Sequence, residues 1–215
     1  MKPFDRAALA QVLEQGVAEL QLDLNEAQIA KLLDYLALLA KWNAVYNLTS
    51  VRDPMQMLTL HVLDSLAAVP AFADARNVLD VGAGGGLPGM VLAIARPDVK
   101  VSMIDTVHKK TAFLTQVKAE LALANVTIYT MRVEQLQVKQ PFDVITSRAF
   151  ADLSDFVNWS GHLLAEGGQF IALKGVAPPD ERERLPSDWK VTQLRAIRVP
   201  GLDAERHLVF IARSE

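Results

Sequence analysis

The run Asn77-Val78-Leu79-Asp80-Val81-Gly82-Ala83-Gly84-Gly85-Gly86-Leu87-Pro88-Gly89 carries the densest structural information in the chain. Asn77 to Val81 is a short apolar run that predicts a strand, and four of the next five residues are glycine. Glycines at a strand end permit a sharp turn and a close approach of bare backbone to a ligand. Ordering so many is costly in entropy unless the geometry needs them. Pro88 suits the first turn of a following helix. The loop is thus expected at a carboxyl strand end, where open α/β sheets bind their ligands.

Working outward, further strands are predicted at Val99–Asp105, Asn125–Thr130, Asp143–Thr146 and Gln169–Leu173, with helical segments between most of them, such as 109–123. Strands alternating with helices imply a mostly parallel sheet. Residues 190–199 and 207–211 instead read as two strands joined through Pro200-Gly201, an antiparallel pair at one edge. On the amino-terminal side, Ala7–Leu20 is helical in composition. Asn25 with Gln28 fits a capping box, and Leu32, Leu36 and Leu39 mark a buried helical stripe. Asp53-Pro54 starts a third helix that continues through Leu66. The expected organisation is a helical extension over residues 1–70 packed on a core domain over 71–215. Ala177 to Arg184 reads as a solvated connection or a mobile flap.

Composition narrows the function. The 215 residues contain no cysteine, which removes disulfides, zinc–cysteine sites and any cysteine nucleophile. The four histidines lack ligand spacing, so no metal site is expected. Lys and Arg number 22 against 25 Asp and Glu, a net charge of −3. No basic footprint for non-specific nucleic-acid binding is therefore visible. No leader and no long uninterrupted apolar stretch is apparent, so a cytoplasmic protein, and a monomer, are expected.

The residues in and beyond the loop suggest a nucleoside-bearing cofactor. Gly84 to Gly89 formally fits a dinucleotide fingerprint with Asp105 placed 21 residues on. Counted from the strand end, however, Gly82-x-Gly84-x-x is followed by Leu87, not glycine. The pattern from Asp80 through Gly82, Gly84 and Gly86 instead resembles the first motif of class I S-adenosylmethionine-dependent methyltransferases. No phosphate-binding G-x-x-x-x-G-K-[ST] loop is present. Asp105, ending the second strand, suits two ribose hydroxyls or caps the next helix. Asp80 organises the loop, answers an ammonium group or takes backbone N–H groups. Val133 and Glu134 follow the third strand, and Arg148 follows the fourth, where it reaches a substrate or answers Asp105 or Glu134. His61 and Asp64 share a helical face, for a local hydrogen bond or an RNA contact. Lys174 stands at a strand end, as a rim cation or a solvated lysine. Trp42 and Tyr46 serve as core residues or base-stacking platforms, and Tyr35 as a base-stacking platform.

Several motifs together resemble one family. They are Lys41-Trp42-Asn43, Tyr46-Asn47-Leu48-Thr49, Arg52-Asp53, His61-x-x-Asp64-Ser65, the glycine loop ending in Leu87-Pro88-Gly89, Ser147-Arg148-Ala149, Leu173-Lys174-Gly175 and Glu205-Arg206-His207. The resemblance, from about residue 40 onward, is to the bacterial 16S rRNA guanine-N7 methyltransferases, once called glucose-inhibited division protein B. It implies a Rossmann-like class I methyltransferase fold with a seven-stranded sheet, an antiparallel carboxy-terminal edge and amino-terminal helices. It implies S-adenosylmethionine as cofactor and N7 of guanine 527, in the 530 loop of 16S rRNA, as target. The RNA is met within the small subunit or an assembly intermediate. By that resemblance Gly82 and Leu87 line the cofactor, Val133 and Glu134 touch its adenosine, and Arg148 faces the junction of cofactor and guanine. Gly85 departs from the Ala or Pro of many relatives. Arg148 and Glu134 are the expected catalytic residues, with Glu134 easing positive charge on the guanine if it lies close. Three other functions stay open on the sequence: an NAD-dependent oxidoreductase, an RNA-binding factor with an unused pocket, and a methyltransferase of this fold with another substrate.

Overall fold

The computed structural model describes residues 3–148, 150, 152–176, 181 and 183–214. Most of the 177–184 connection lies outside the described residues. Three helical segments lead the chain. Asp5 caps α1 (Arg6–Glu19) by accepting from Ala8 N. Asn25 opens α2 (Glu26–Tyr46) with both halves of the capping box formed. The Gln28 side chain also donates to the carbonyls of Ile94 and Ala95 at 3.1 and 2.9 Å, docking the start of α2 on the core. The third segment runs from Pro54 to Phe72. It begins as α3 (Pro54–Met57), capped by Asp53, widens into a π-turn over Leu58–Leu63, and resumes as α4 (Asp64–Ala68). The sequence predicts an ordinary helix here, and the π-turn is the departure from it. This segment is long and apolar enough to cross a membrane, but 67% of its apolar window is buried inside the protein. Core packing already takes up that apolar surface.

Seven strands form one sheet in the order β3-β2-β1-β4-β5-β7-β6. β1 (Asn77–Val81) starts as expected and is buried along its whole length. β2 (Lys100–Asp105), β3 (Val126–Thr130), β4 (Phe142–Ser147) and β5 (Leu164–Lys174) are parallel to it. β7 (His207–Arg213) lies antiparallel to β5, and β6 (Trp189–Ala196) pairs with β7 as the outer strand. β5 begins five residues before the predicted Gln169. Its Gly167-Gly168 pair, with Gly167 at φ +73°, lies within the strand. Helices α5 (Gly89–Ala95), α6 (His108–Glu120) and α7 (Leu153–Ser160) follow β1, β2 and β4.

Alternating strand residues feed two cores. Val78, Val101 and Val144 pack with α2, the Pro54–Phe72 segment and α5; Leu79, Ile104 and Ile145 pack with α7. This is the period-two alternation of a sheet covered on both faces. The strand order turns back at β1, with β2 on one side and β4 on the other. A crevice at such a reversal, outside the carboxyl strand ends, is where this architecture binds ligands. The glycine loop stands there.

Gly86 shows what that loop costs in sequence freedom. It sits at φ +92°, and a Cβ on it would lie 2.8 Å from Met90 Cβ and 2.9 Å from Leu114 Cδ2. Left-handed strain and overpacking each contribute about 1–3 kcal/mol. Gly86→Ala should therefore lower the unfolding free energy by about 2–4 kcal/mol in urea titration; a loss below ~0.5 kcal/mol would contradict this packing.

Candidate active site

The loop is held from below and from the side. Gly82 N and Ala83 N donate to Ile104 O at 2.9 and 3.1 Å, tying the turn to the end of β2. Gly84, at φ +56°, donates its N–H to Asp105 Oδ2 at 3.0 Å. A Cβ on Gly84 would meet only Gly82 O, at 3.8 Å, so bare backbone faces open space. From above, the buried Tyr35 of α2 donates its hydroxyl to Gly85 O at 2.7 Å. Burial pushes the Tyr35 phenol above its ordinary range, so it stays a donor. The sequence suggests a stacking platform at Tyr35; the ring is instead buried and its hydroxyl holds the loop.

Three cavities lie in a row around this loop. The first, about 470 Å³, is lined by Gly82, Asp105, Val133, Glu134, Phe150 and Trp159, among others. The second, about 230 Å³, lies between the loop and the amino-terminal helices; Leu48, Thr49, Gly84, Leu87 and Lys110 line it. The third, about 370 Å³, is bounded by His61, Asp64, Lys174, Arg206 and His207. Gly82 belongs to the first and second, and Arg148 to the second and third.

Asp105 takes the helix-start role and also ties down the glycine loop. Its Oδ1 accepts from Val107 N at 2.9 Å at the start of α6, and its Oδ2 takes Gly84 N with Lys110 Nζ at 3.6 Å. Each carboxylate oxygen keeps acceptor capacity beyond those bonds, and Asp105 lines the first cavity. Val133 is buried there, beside the half-exposed Glu134. Asp80 and Gly86 line none of the three cavities; they act from behind the loop. Asp80 Oδ2 accepts from Gly89 N at 2.8 Å, while its buried Oδ1 has no hydrogen-bond partner. Burial pushes the Asp80 carboxyl up to about 7, against the opposing pull of Gly89 N–H and Arg148.

Among the described residues Arg148 answers neither Asp105 nor Glu134, one of the two roles its position in the sequence allows. Its Nη1 donates to Leu60 O at 3.1 Å and to Asp64 Oδ2 at 3.4 Å, and its Nη2 lies 3.5 Å from His61 Nδ1. The arginine cation makes that Nδ1 an acceptor, so His61 Nε2–H donates to Thr49 Oγ1 at 2.9 Å. Burial, reinforced by Arg148, lowers the His61 imidazole to about 4 and keeps it neutral. His61 and Asp64 therefore meet through Arg148, in place of the local bond the sequence suggested. Glu134 and Arg148 line different cavities, on opposite sides of Gly82. Glu134 shares its cavity with Asp105 and Val133. Lys174 is neither solvated nor a bare rim cation: its Nζ donates to Phe150 O at 3.0 Å and pairs with Glu181 at 2.8 Å. Trp42 packs on Phe113 and Tyr46, leaving Tyr46 43% exposed. Among the described residues no group of three His, Asp or Glu gathers as a metal centre.

Known proteins agree with this geometry. The O-methyltransferase TomG of Streptomyces achromogenes, solved with S-adenosylmethionine, superposes with a TM-score of 0.57 at 19% identity, covering 92% of this chain and 94% of that one. The sheet order and loop are those of the Rossmann-like methyltransferase fold. Two curated proteins, each named ribosomal RNA small subunit methyltransferase G, are far closer in sequence. That of Janthinobacterium sp. (strain Marseille) is 71% identical, over 100% of this chain and 99% of its own length. That of Herminiimonas arsenicoxydans is 69% identical, over 99% and 100%. The profile of the GidB family, described as rRNA small subunit methyltransferase G, matches residues 28–209. With a family match over most of the chain and relatives this similar end to end, the chain belongs to the GidB family of rRNA small subunit methyltransferases.

Proposed function

We propose that this chain transfers a methyl group from S-adenosylmethionine to N7 of a guanine in the 530 loop of 16S rRNA, guanine 527. The observation that carries the reading is Arg148, the wall shared by the loop cavity and the third cavity. The residues fit the cofactor. Asp105 offers acceptors to the ribose hydroxyls, Val133 and Glu134 flank the adenine, and Gly82, Gly84 and Leu87 shape the space for the methionine part. The orphaned Oδ1 of Asp80, behind the loop, supplies negative charge toward an ammonium group. Gly86 sets the turn without touching the ligand.

S-adenosylmethionine, when bound, supplies an electrophilic methyl group on sulfur. The lone pair of guanine N7 lies in the base plane and needs no deprotonation, so no general base is required. The neutral His61, held at about 4, suits that chemistry as a poor proton acceptor. What remains is alignment of N7, methyl carbon and sulfur. Arg148 holds the base by O6 while leaving N7 free: it lines the third cavity, and its five N–H donors outnumber its three partners there.

The net charge of −3 limits what phosphate attraction alone supplies. It favours a structured target, the small subunit or an assembly intermediate, met by a cytoplasmic monomer. Residues 1–70 act as the helical extension and 71–215 as the methyltransferase domain. The test is incubation with methyl-labelled S-adenosylmethionine and small subunits that lack the modification, followed by mapping of the labelled nucleotide. Label at N7 of guanine in the 530 loop is expected. Label at another nucleotide or on a ribosomal protein, or none despite S-adenosylhomocysteine binding, would overturn the reading.

A further inference from the structure

The π-turn and the carboxylate at its end have no part in the reaction as described so far. Asp64 N–H donates to Thr59 O and His61 O and bypasses Leu60 O. That carbonyl accepts from Arg148 Nη1. Single π-turns inside α-helices recur at functional sites because they release backbone groups in this way. The same turn delivers Asp64, whose side chain is 5% exposed, between two guanidinium groups: Arg206 Nε on Oδ1 at 2.7 Å and Arg148 Nη1 on Oδ2 at 3.4 Å. Arg148 and Arg206 stand 28% and 25% exposed on the same cavity. Among the described residues that line this cavity, Asp64 is the only acid.

We infer that Asp64 is a positioning residue for methyl transfer: its carboxylate fixes the direction of Arg148 and compensates its charge beside a base that becomes cationic. This rests on the reading that the target guanine enters the third cavity. Methylation at N7 leaves the guanine ring positively charged, and an unpaired guanidinium beside it would oppose the reaction. A guanidinium already bonded to Asp64 and Leu60 O presents directed N–H groups with much of its charge cancelled. Two of the three groups that direct Arg148, Leu60 O and His61 Nδ1, belong to residues of the π-turn, so the turn sets its aim.

The test is a double-mutant cycle in single-turnover methyl transfer, with saturating S-adenosylmethionine and small subunits. Asp64→Asn should cut the rate at least about tenfold, with S-adenosylhomocysteine affinity within about threefold of wild type. In an Arg148→Ala background the same substitution should cost less than about twofold, because Asp64 acts through Arg148. Full, independent loss in that background would identify a merely structural ion pair and overturn the inference, as would an undiminished rate in Asp64→Asn. Should Asp64→Asn fail to fold, Asp64→Glu keeps the charge but displaces it by one methylene. A loss of rate with unchanged S-adenosylhomocysteine affinity is then expected, and the wild-type rate in that variant overturns the inference. Wild-type enzyme inactive on the particle would instead indict the substrate reading itself.

Discussion

Arg148→Ala is expected to slow single-turnover methyl transfer by about a hundredfold or more, the scale of misplacing a reacting group by an ångström. S-adenosylhomocysteine affinity should change far less. Arg148 contributes no proton and no nucleophile; its value lies in the fork of donors at the wall between two cavities. Its removal leaves no buried charge without a partner, since Asp64 keeps Arg206 at 2.7 Å. The variant should therefore fold, and the loss should be kinetic. Arg148→Lys should not restore the rate. A single ammonium cannot reach Leu60 O and Asp64 in the geometry of a planar fork while still presenting donors to a base. Quenched-flow transfer of labelled methyl groups to small subunits measures this directly, and a wild-type rate in Arg148→Ala would remove the residue from the mechanism.

The parts of this site that follow from local rules were legible in the sequence. The strand from Asn77 to Val81 needs only its apolar run, and the turn after it needs only its glycines. The Asn25–Gln28 capping box forms as read, because both partners lie three residues apart. What escaped was set by tertiary context. Leu58 to Leu63 has the composition of any buried helix, and nothing in its spacing marks a π-turn. Asp64 meets Arg206 across 142 positions, a pairing that only the arrival of β7 beside β5 creates. Tyr35 reads as a stacking platform, since its hydroxyl partner is a backbone carbonyl 50 residues on. Asp80 and Gly86 belong to the glycine motif, but their direction relative to the cavities is set by tertiary packing.

Asp80 also makes the fold less stable than it need be, and Asp80→Asn should show by how much. The carboxyl ordinarily titrates near 3.8, and in the folded protein burial raises it to about 7. Between those values the folded chain holds a proton that the unfolded chain has released. Stability therefore falls as pH rises from about 4 to 7 and stays low above that. At about 1.4 kcal/mol per pKa unit the full penalty is on the order of 4 kcal/mol. An Asn carbonyl still accepts from Gly89 N, but its amide inherits the unpartnered position of Oδ1 at a cost of about 1–3 kcal/mol. The variant should gain roughly 1–3 kcal/mol at pH 8 in urea unfolding. His61 works in the other direction: held at about 4 by burial and Arg148, it makes stability fall as pH drops from 6.5 to 4. The two slopes oppose each other in wild type. Asp80→Asn should expose that of His61 alone, so that stability climbs from pH 4.5 to 6.5 and then levels. Identical pH profiles for the two proteins would show that Asp80 is ionised at little cost. On the proposed reading, a carboxylate kept buried against such a penalty acts through the loop on the field felt by a bound cation. S-adenosylhomocysteine, which carries the ammonium group, should accordingly bind more weakly to the stabilised variant, and that opposition between stability and affinity separates a functional Asp80 from a packing accident.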